Sequence, residues 1–184
     1  LMGFAAREAI HIAAYSHLIE TLGMPESTYN EFLEYDAMRE KHEYFMAKVD
    51  NDAVLPVKMA AISAFTEGLA LFSSFIMLLN FPRHGKMKGM GQIVTWSIVD
   101  ETMHAEGIIA LFRSYLEEKP ELWNDDTKGQ IYSIAEKMVE LEDDFVDLAF
   151  QMGEMENLTA AEVKQYIRYI ADRRLISMGM RGIF

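Results

Sequence analysis

Three stretches of this chain set a carboxylate into an apolar helical pattern, and no other feature narrows the possible folds as far. They are "REAIHIAAY" with Glu8, "AISAFTEGLALFSSF" with Glu67 and "SIVDETMHAEG" with Glu101. A helix turns about 100° per residue, so Glu8, His11 and Tyr15 share one face of the first stretch. A carboxylate buried alone costs several kcal/mol or stays protonated unless a cation neutralises it. Three such helices relieve one another if they meet around metal.

Two of the acids have an imidazole three positions later, giving Glu8 with His11 and Glu101 with His104. At that spacing the side chains are neighbours on the helix surface, so each helix offers one oxygen and one nitrogen donor to a single spot. One such pair is commonly a surface ion pair or a cap. Two pairs in apolar helices, with Glu67 between them in sequence, point instead to a shared site. Mixed oxygen and nitrogen ligation suits iron or manganese better than a structural zinc site. Ferritin-like dinuclear carboxylate bundles use a Glu from each of two helices and Glu-x-x-His from two more. This chain supplies both Glu-x-x-His helices and one lone-Glu helix; the fourth should carry an Asp or Glu and precede the first. A ligating His usually gives its other N–H to a carboxylate or carbonyl. Asp100 could hold a neighbouring imidazole such as His11 in this way, or could be an ordinary exposed acid.

Six helical segments are expected. They run from Phe4 to Leu22, from a capping-box spacing at Thr28 and Glu31 to about Val49, and from about Leu55 to Asn80. After a break at "NFPRHGKMKGMGQ", a fourth holds "IVTWSIVDETMHAEGIIALFRSYLEE" up to Pro120. The fifth spans about Thr127–Met152, and the sixth follows a second capping box at Thr159 and Glu162 to about Met178. No strand or repeat is evident, so the fold class is all-α: one domain, a ferritin-like bundle with a dinuclear metal site in its core. "EKMVELEDDFVDLAF" reads as an amphipathic surface helix, and "RHGKMKGMG" as a solvated loop. His17, His42 and His84 have no ligand-spaced partner and read as surface or capping residues, while Trp96 and Trp123 read as packing, with a relay role as the alternative.

Composition then excludes several classes. A net charge of −12 argues against a nucleic-acid surface. The absence of cysteine excludes disulfides, thiolate metal sites and thiol chemistry by this chain. The longest uncharged run, "GLALFSSFIMLLNF", falls short of the roughly 20 residues that cross a bilayer, and the start resembles no signal peptide. The expectation is a cytoplasmic protein with no membrane segment.

With these residues in hand, the chain closely resembles the radical-generating small (β) subunit of class I ribonucleotide reductase. The resemblance runs from "REAIHIAAYSHLIE" through "FTEGLALFSSF" and "SIVDETMHAEG" to the last helix. It implies metal ligands at Glu8, His11, Glu67, Glu101 and His104, and a radical-bearing tyrosine at Tyr15. It also implies that Asp100 hydrogen-bonds a ligand histidine and joins the radical-transfer route. The implied cofactor is a dinuclear iron or manganese centre with O2 as oxidant. The implied partners are a large (α) subunit, whose thiols reduce the ribonucleotide, and a second copy in a homodimer. The family's sixth ligand, the early Trp of the transfer route, and the C-terminal docking peptide with its mobile Tyr have no counterpart here. Residues 1–184 are therefore expected to be a fragment lacking the N-terminal ligand helix and the C-terminal tail. A Phe at position 15 would have indicated the mixed Mn/Fe subtype; Tyr15 indicates the tyrosyl-radical type. Leu71 and Phe75, one and two turns beyond Glu67, are candidates for a dry wall around that tyrosine.

Three alternatives stay open at this point. A ferritin-like iron-storage protein or ferroxidase would use the same ligands without needing Tyr15 or Asp100. A di-iron substrate oxidase would need a substrate cavity. A metal-free structural bundle would tolerate apolar replacements of the acids.

Overall fold

The computed structural model describes residues 2–49 and 53–184. Among the described residues there are eight α-helices: α1 (Met2–Thr21), α2 (Thr28–Glu31), α3 (Asp36–Val49), α4 (Leu55–Met59), α5 (Phe72–Arg83), α6 (Lys88–Glu118), α7 (Asp125–Gln151) and α8 (Ala160–Ser177). Among the described residues there is no strand, only an isolated bridge between Met155 and Leu158.

Three boundaries differ from expectation. Tyr35 is extended and splits the second segment between a short 3-10 turn (Phe32–Glu34) and α3. The Thr28–Glu31 box does not form, because Ser27, in helical geometry, takes the N-cap position without a side-chain bond. The loop before α6 is shorter than "RHGKMKGMG": Met87 takes up the left-handed conformation (φ 46°) and the helix starts at Lys88. Gly91 is what lets α6 begin there, since a Cβ at that position would sit 2.6 Å from Cγ of Pro82. The capping box expected at Thr159 and Glu162 forms at α8, and α7 has an unanticipated cap at Asn124, which accepts from the Thr127 N–H.

The third segment departs most. It runs as α4, then π-helix over Ala60–Glu67, then a turn before α5. Thr66 Oγ1 donates to the Ala61 carbonyl at 2.9 Å, and the Gly68 N–H donates to the Ser63 carbonyl at 2.8 Å. The backbone bond from Gly68 spans five residues, the wider turn that marks π geometry and that recurs at functional sites.

The run Leu55–Arg83 forms the spine of the bundle, contacting α3, α6, α7 and α8. Phe65, Leu69, Val94, Phe112, Ile131, Leu141, Ile167 and Leu175 are almost wholly buried around it. Full burial of such side chains stabilises by about 1.5–3 kcal/mol each. By length and composition alone this run is apolar enough to cross a membrane, yet it packs as the core helix that was expected. Inside the bundle, 56% of its most apolar window is buried. Helix α7 is amphipathic as expected, but its inner face includes an acid: Glu142 is fully buried. Helix α1 lies against α6 and, like α2 and α3, has no buried residue among those described, with Ile10 and Ile12 60% and 69% exposed.

Candidate metal centre

α1, the π-helical segment and α6 bring Glu8, His11, Glu67, Glu101 and His104 into one cluster. His11 Nδ1 lies 3.1 Å from Glu101 Oε1 and 3.6 Å from Glu8 Oε2. His104 Nδ1 lies 3.3 Å from Glu8 Oε1, 3.4 Å from Glu67 Oε2 and 3.6 Å from Glu101 Oε2. Glu8 and Glu101 thus each turn one oxygen towards one imidazole and the other oxygen towards the second. The donor atoms fall into two groups, Glu8/His11/Glu101 and Glu67/Glu101/His104, with Glu101 common to both.

The electrostatics call for a cation. Burial, then the nearby Glu8 and Glu67, push the Glu101 carboxyl up to about 7, with His11 acting in the opposite direction. Burial also raises Glu67, which His104 partly offsets. Oε2 of Glu67 and Nε2 of His104 are buried without a hydrogen-bond partner among the described residues. Clustered carboxylates with an orphaned buried oxygen and two imidazole nitrogens facing them form a donor set for divalent metal, and the fit is to a pair of ions.

Asp100 sits behind α1. His11 Nε2 is 3.2 Å from its Oδ2, and Arg7 Nη1 is 3.3 Å from its Oδ1. With Nδ1 turned to the carboxylates, the Nε2–H donates to Asp100, which selects the tautomer that leaves Nδ1 free to ligate. His104 Nε2 has no such partner among the described residues; the Phe4 ring lies 4.6 Å from the imidazole instead. Phe4 also leaves no room for a side chain at Gly107, where a Cβ would stand 2.9 Å from the ring.

Tyr15 is half-buried, and its hydroxyl donates to Ser97 Oγ at 3.0 Å, one turn before Glu101 on α6. Burial raises its pKa, the Ser97 bond lowers it, and the Glu101 charge adds to the rise, so the phenol keeps its proton near neutrality. The two wall candidates separate. Phe75 is a core residue stacked edge-on to Phe72, whereas Leu71 is 39% exposed. Leu71 lines a cavity of about 310 Å³ that also touches Phe32, Met38, Phe45, Glu8, Glu67 and Glu101. His42 faces the same cavity rather than bulk surface alone. Trp123 packs edge-on against Phe112, while Trp96 is 62% exposed and is not a packing residue in this structure.

The residues not anticipated are Arg7, Ser97, Lys41 and the buried Glu142. Ser97 is four residues before Glu101 and so on the ligand face, a signal that helical spacing carries. Lys41 and Glu142 meet only through tertiary packing and have no local signature.

A helical bundle with Glu-x-x-His on two helices, a lone Glu on a third and one carboxylate common to two donor groups is consistent with the ferritin-like class of dinuclear carboxylate proteins. Comparison with known proteins narrows this class. The family model "Ribonucleotide reductase, small chain" matches residues 1–184. The probable ribonucleoside-diphosphate reductase small subunits of invertebrate iridescent viruses 3 and 6 are 50% and 44% identical to the chain, covering 100% and 99% of it. The chain spans about half the length of these relatives, 54% and 61% respectively. A putative class I ribonucleotide reductase from Bacillus halodurans superposes with a TM-score of 0.84 at 25% identity, covering 97% of this chain and 66% of its own. The chain belongs to the ribonucleotide reductase small-chain family.

Proposed function

We propose that this chain is the radical-generating part of a ribonucleoside-diphosphate reductase. Glu8, His11, Glu67, Glu101 and His104 hold a dinuclear iron or manganese centre, and Tyr15 carries the radical. The observation that bears most weight is the divided aim of Glu8 and Glu101, one oxygen of each towards each histidine. That arrangement serves two metal positions rather than one. The two groups share Glu101, and Glu8, the other acid of the His11 group, also turns an oxygen towards His104. We expect the further Asp or Glu that completes the His11 position to come from outside residues 1–184.

Bound metal, after reacting with O2, supplies the oxidising power that removes one electron from a phenol. The chain's residues prepare for that event. Asp100 orients His11 and holds the proton at Nε2. Ser97 Oγ receives the Tyr15 hydrogen bond and fixes the phenol beside α6. Export of the radical to a large subunit, with Asp100 on the route, a homodimeric assembly and a cytoplasmic location belong to the same reading. It is supported by the family match and by an apolar spine helix that packs within the bundle.

The cavity lined by Phe32, Met38 and Phe45 favours a second reading, a di-iron oxidase acting on a small apolar substrate. One experiment separates the two. The full chain is loaded anaerobically with Fe(II) or Mn(II), bound metal is counted, O2 is admitted, and EPR is recorded beside Tyr15→Phe. Two metals per chain and a tyrosyl signal lost in Tyr15→Phe are expected. Metal oxidation with no radical in either protein moves the assignment to the oxidase.

A further inference from the structure

Helical geometry breaks directly after Glu67. The π-helix ends there, residues 68–71 form a turn, and α5 starts at Phe72. Such a break leaves carbonyls without helical partners. Two of them are taken up by cations from different helices. Lys41 Nζ of α3 donates to the Ala70 carbonyl at 2.6 Å, and Arg174 Nε of α8 donates to the Gly68 carbonyl at 2.8 Å.

Both cations are held in place. Lys41 pairs with Glu142 of α7, whose other oxygen accepts from Ser73 Oγ, and its ammonium lies 5.0 Å from the centre of the Phe145 ring. Arg174 is 9% exposed, packs its guanidinium 5.4 Å from the Phe72 ring centre, and has no ion pair among the described residues. A buried cation without an acid is costly. Its hydrogen bond here goes to the residue next to Glu67. Gly68 is the matching concession: a Cβ there would stand 2.8 Å from Arg174 Nε.

We propose that Lys41 and Arg174 are positioning residues that fix Glu67 relative to His104 by clamping the turn that follows it. Relaxing the π turn to α geometry would shift the register after it by one residue, about 100° around the helix. The two clamped carbonyls oppose that rotation. The inference rests on the reading of Glu67 as a metal ligand.

The test uses the full chain and Mn(II) alone, followed by EPR titration, with amide exchange over residues 68–72 and the thermal midpoint of the metal-free protein. The variants are Arg174→Met, Lys41→Arg, and Lys41→Met combined with Glu142→Gln so that no lone charge stays buried. Arg174→Met and the double variant are expected to lose affinity about 10–100-fold at one of two Mn(II) positions, with faster exchange at the turn. Lys41→Arg is expected to bind both ions like wild type. Unchanged Mn(II) affinities, even with a lowered thermal midpoint, overturn the proposal, as does an equal loss at both positions. Should Arg174→Met fail to fold, the Lys41→Met/Glu142→Gln double variant is read by the same criteria. Wild-type protein that binds no Mn(II) overturns the dinuclear reading itself; wild type with two ions and unaffected variants overturns the clamp alone.

Discussion

His11 and Asp100 meet across the α1–α6 contact with Nε2 3.2 Å from Oδ2, while the opposite ring nitrogen of His11 lies 3.1 Å from Glu101. One imidazole therefore links two consecutive acids of "DETMH" that leave α6 in different directions. Arg7, 3.3 Å from Asp100 Oδ1, pairs with the oxygen that His11 leaves free.

Removing Asp100 should act through His11. In Asp100→Ala the ring loses the acceptor that sets its tautomer, and a metal bound at Nδ1 should be held about 10–100-fold less tightly. Metal titration of the two positions is the check. The His104 position, with no carboxylate behind its Nε2, should change little. Equal weakening at both would show that Asp100 acts on the α1–α6 contact as a whole.

The raised Glu101 carboxyl makes a signed prediction for pH. In the metal-free fold it titrates at about 7 instead of 4.5, so the folded state holds a proton that the unfolded chain releases at lower pH. That contribution to stability is fully present below 4.5 and is lost as pH rises through about 7. Metal must displace the same proton, so metal affinity should rise over the same window. Thermal midpoints of metal-free protein should fall across it, and Glu101→Gln should flatten the slope. A midpoint that climbs instead would mean that other groups govern the acid side.

Gly68 should resist substitution although its backbone is ordinary in φ. A methyl group would meet Arg174 Nε at 2.8 Å and the carbonyls of Ala64 and Ser63 at 2.6 and 2.9 Å. Gly68→Ala should destabilise by about 1–3 kcal/mol, the usual cost of overpacking, measured by chemical denaturation of the metal-free chain. Gly129→Ala in α7, where a Cβ meets nothing within 4 Å, is the matched control. It should be neutral or slightly stabilising, because helix interiors favour Ala over Gly.

Much of the site could be read from local spacing. Glu8 with His11 and Glu101 with His104 are set side by side by helical geometry wherever those helices lie, and burial of an acid in "AISAFTEGLALFSSF" follows from its apolar neighbours. The caps at Asn124 and Thr159 are equally local, being formed within one turn. By contrast, the breaks at Tyr35 and at residues 68–71 have no clear periodic signature, because an extended residue or a π turn is imposed by packing at the site.

What the amino-acid order determined by itself was the helical class, the two Glu-x-x-His faces, the lone Glu67 and the phenol one turn beyond His11, since each depends only on rotation per residue. Tertiary structure alone decided how these faces meet: that Glu8 and Glu101 divide their oxygens between two histidines, that Asp100 reaches His11 rather than solvent, and that Tyr15 bonds to Ser97. It also placed Glu142 inside α7's buried face with Lys41 beside it. Those relationships join residues far apart in the chain, and their distances are fixed by the packing of one helix on another, which no local pattern encodes.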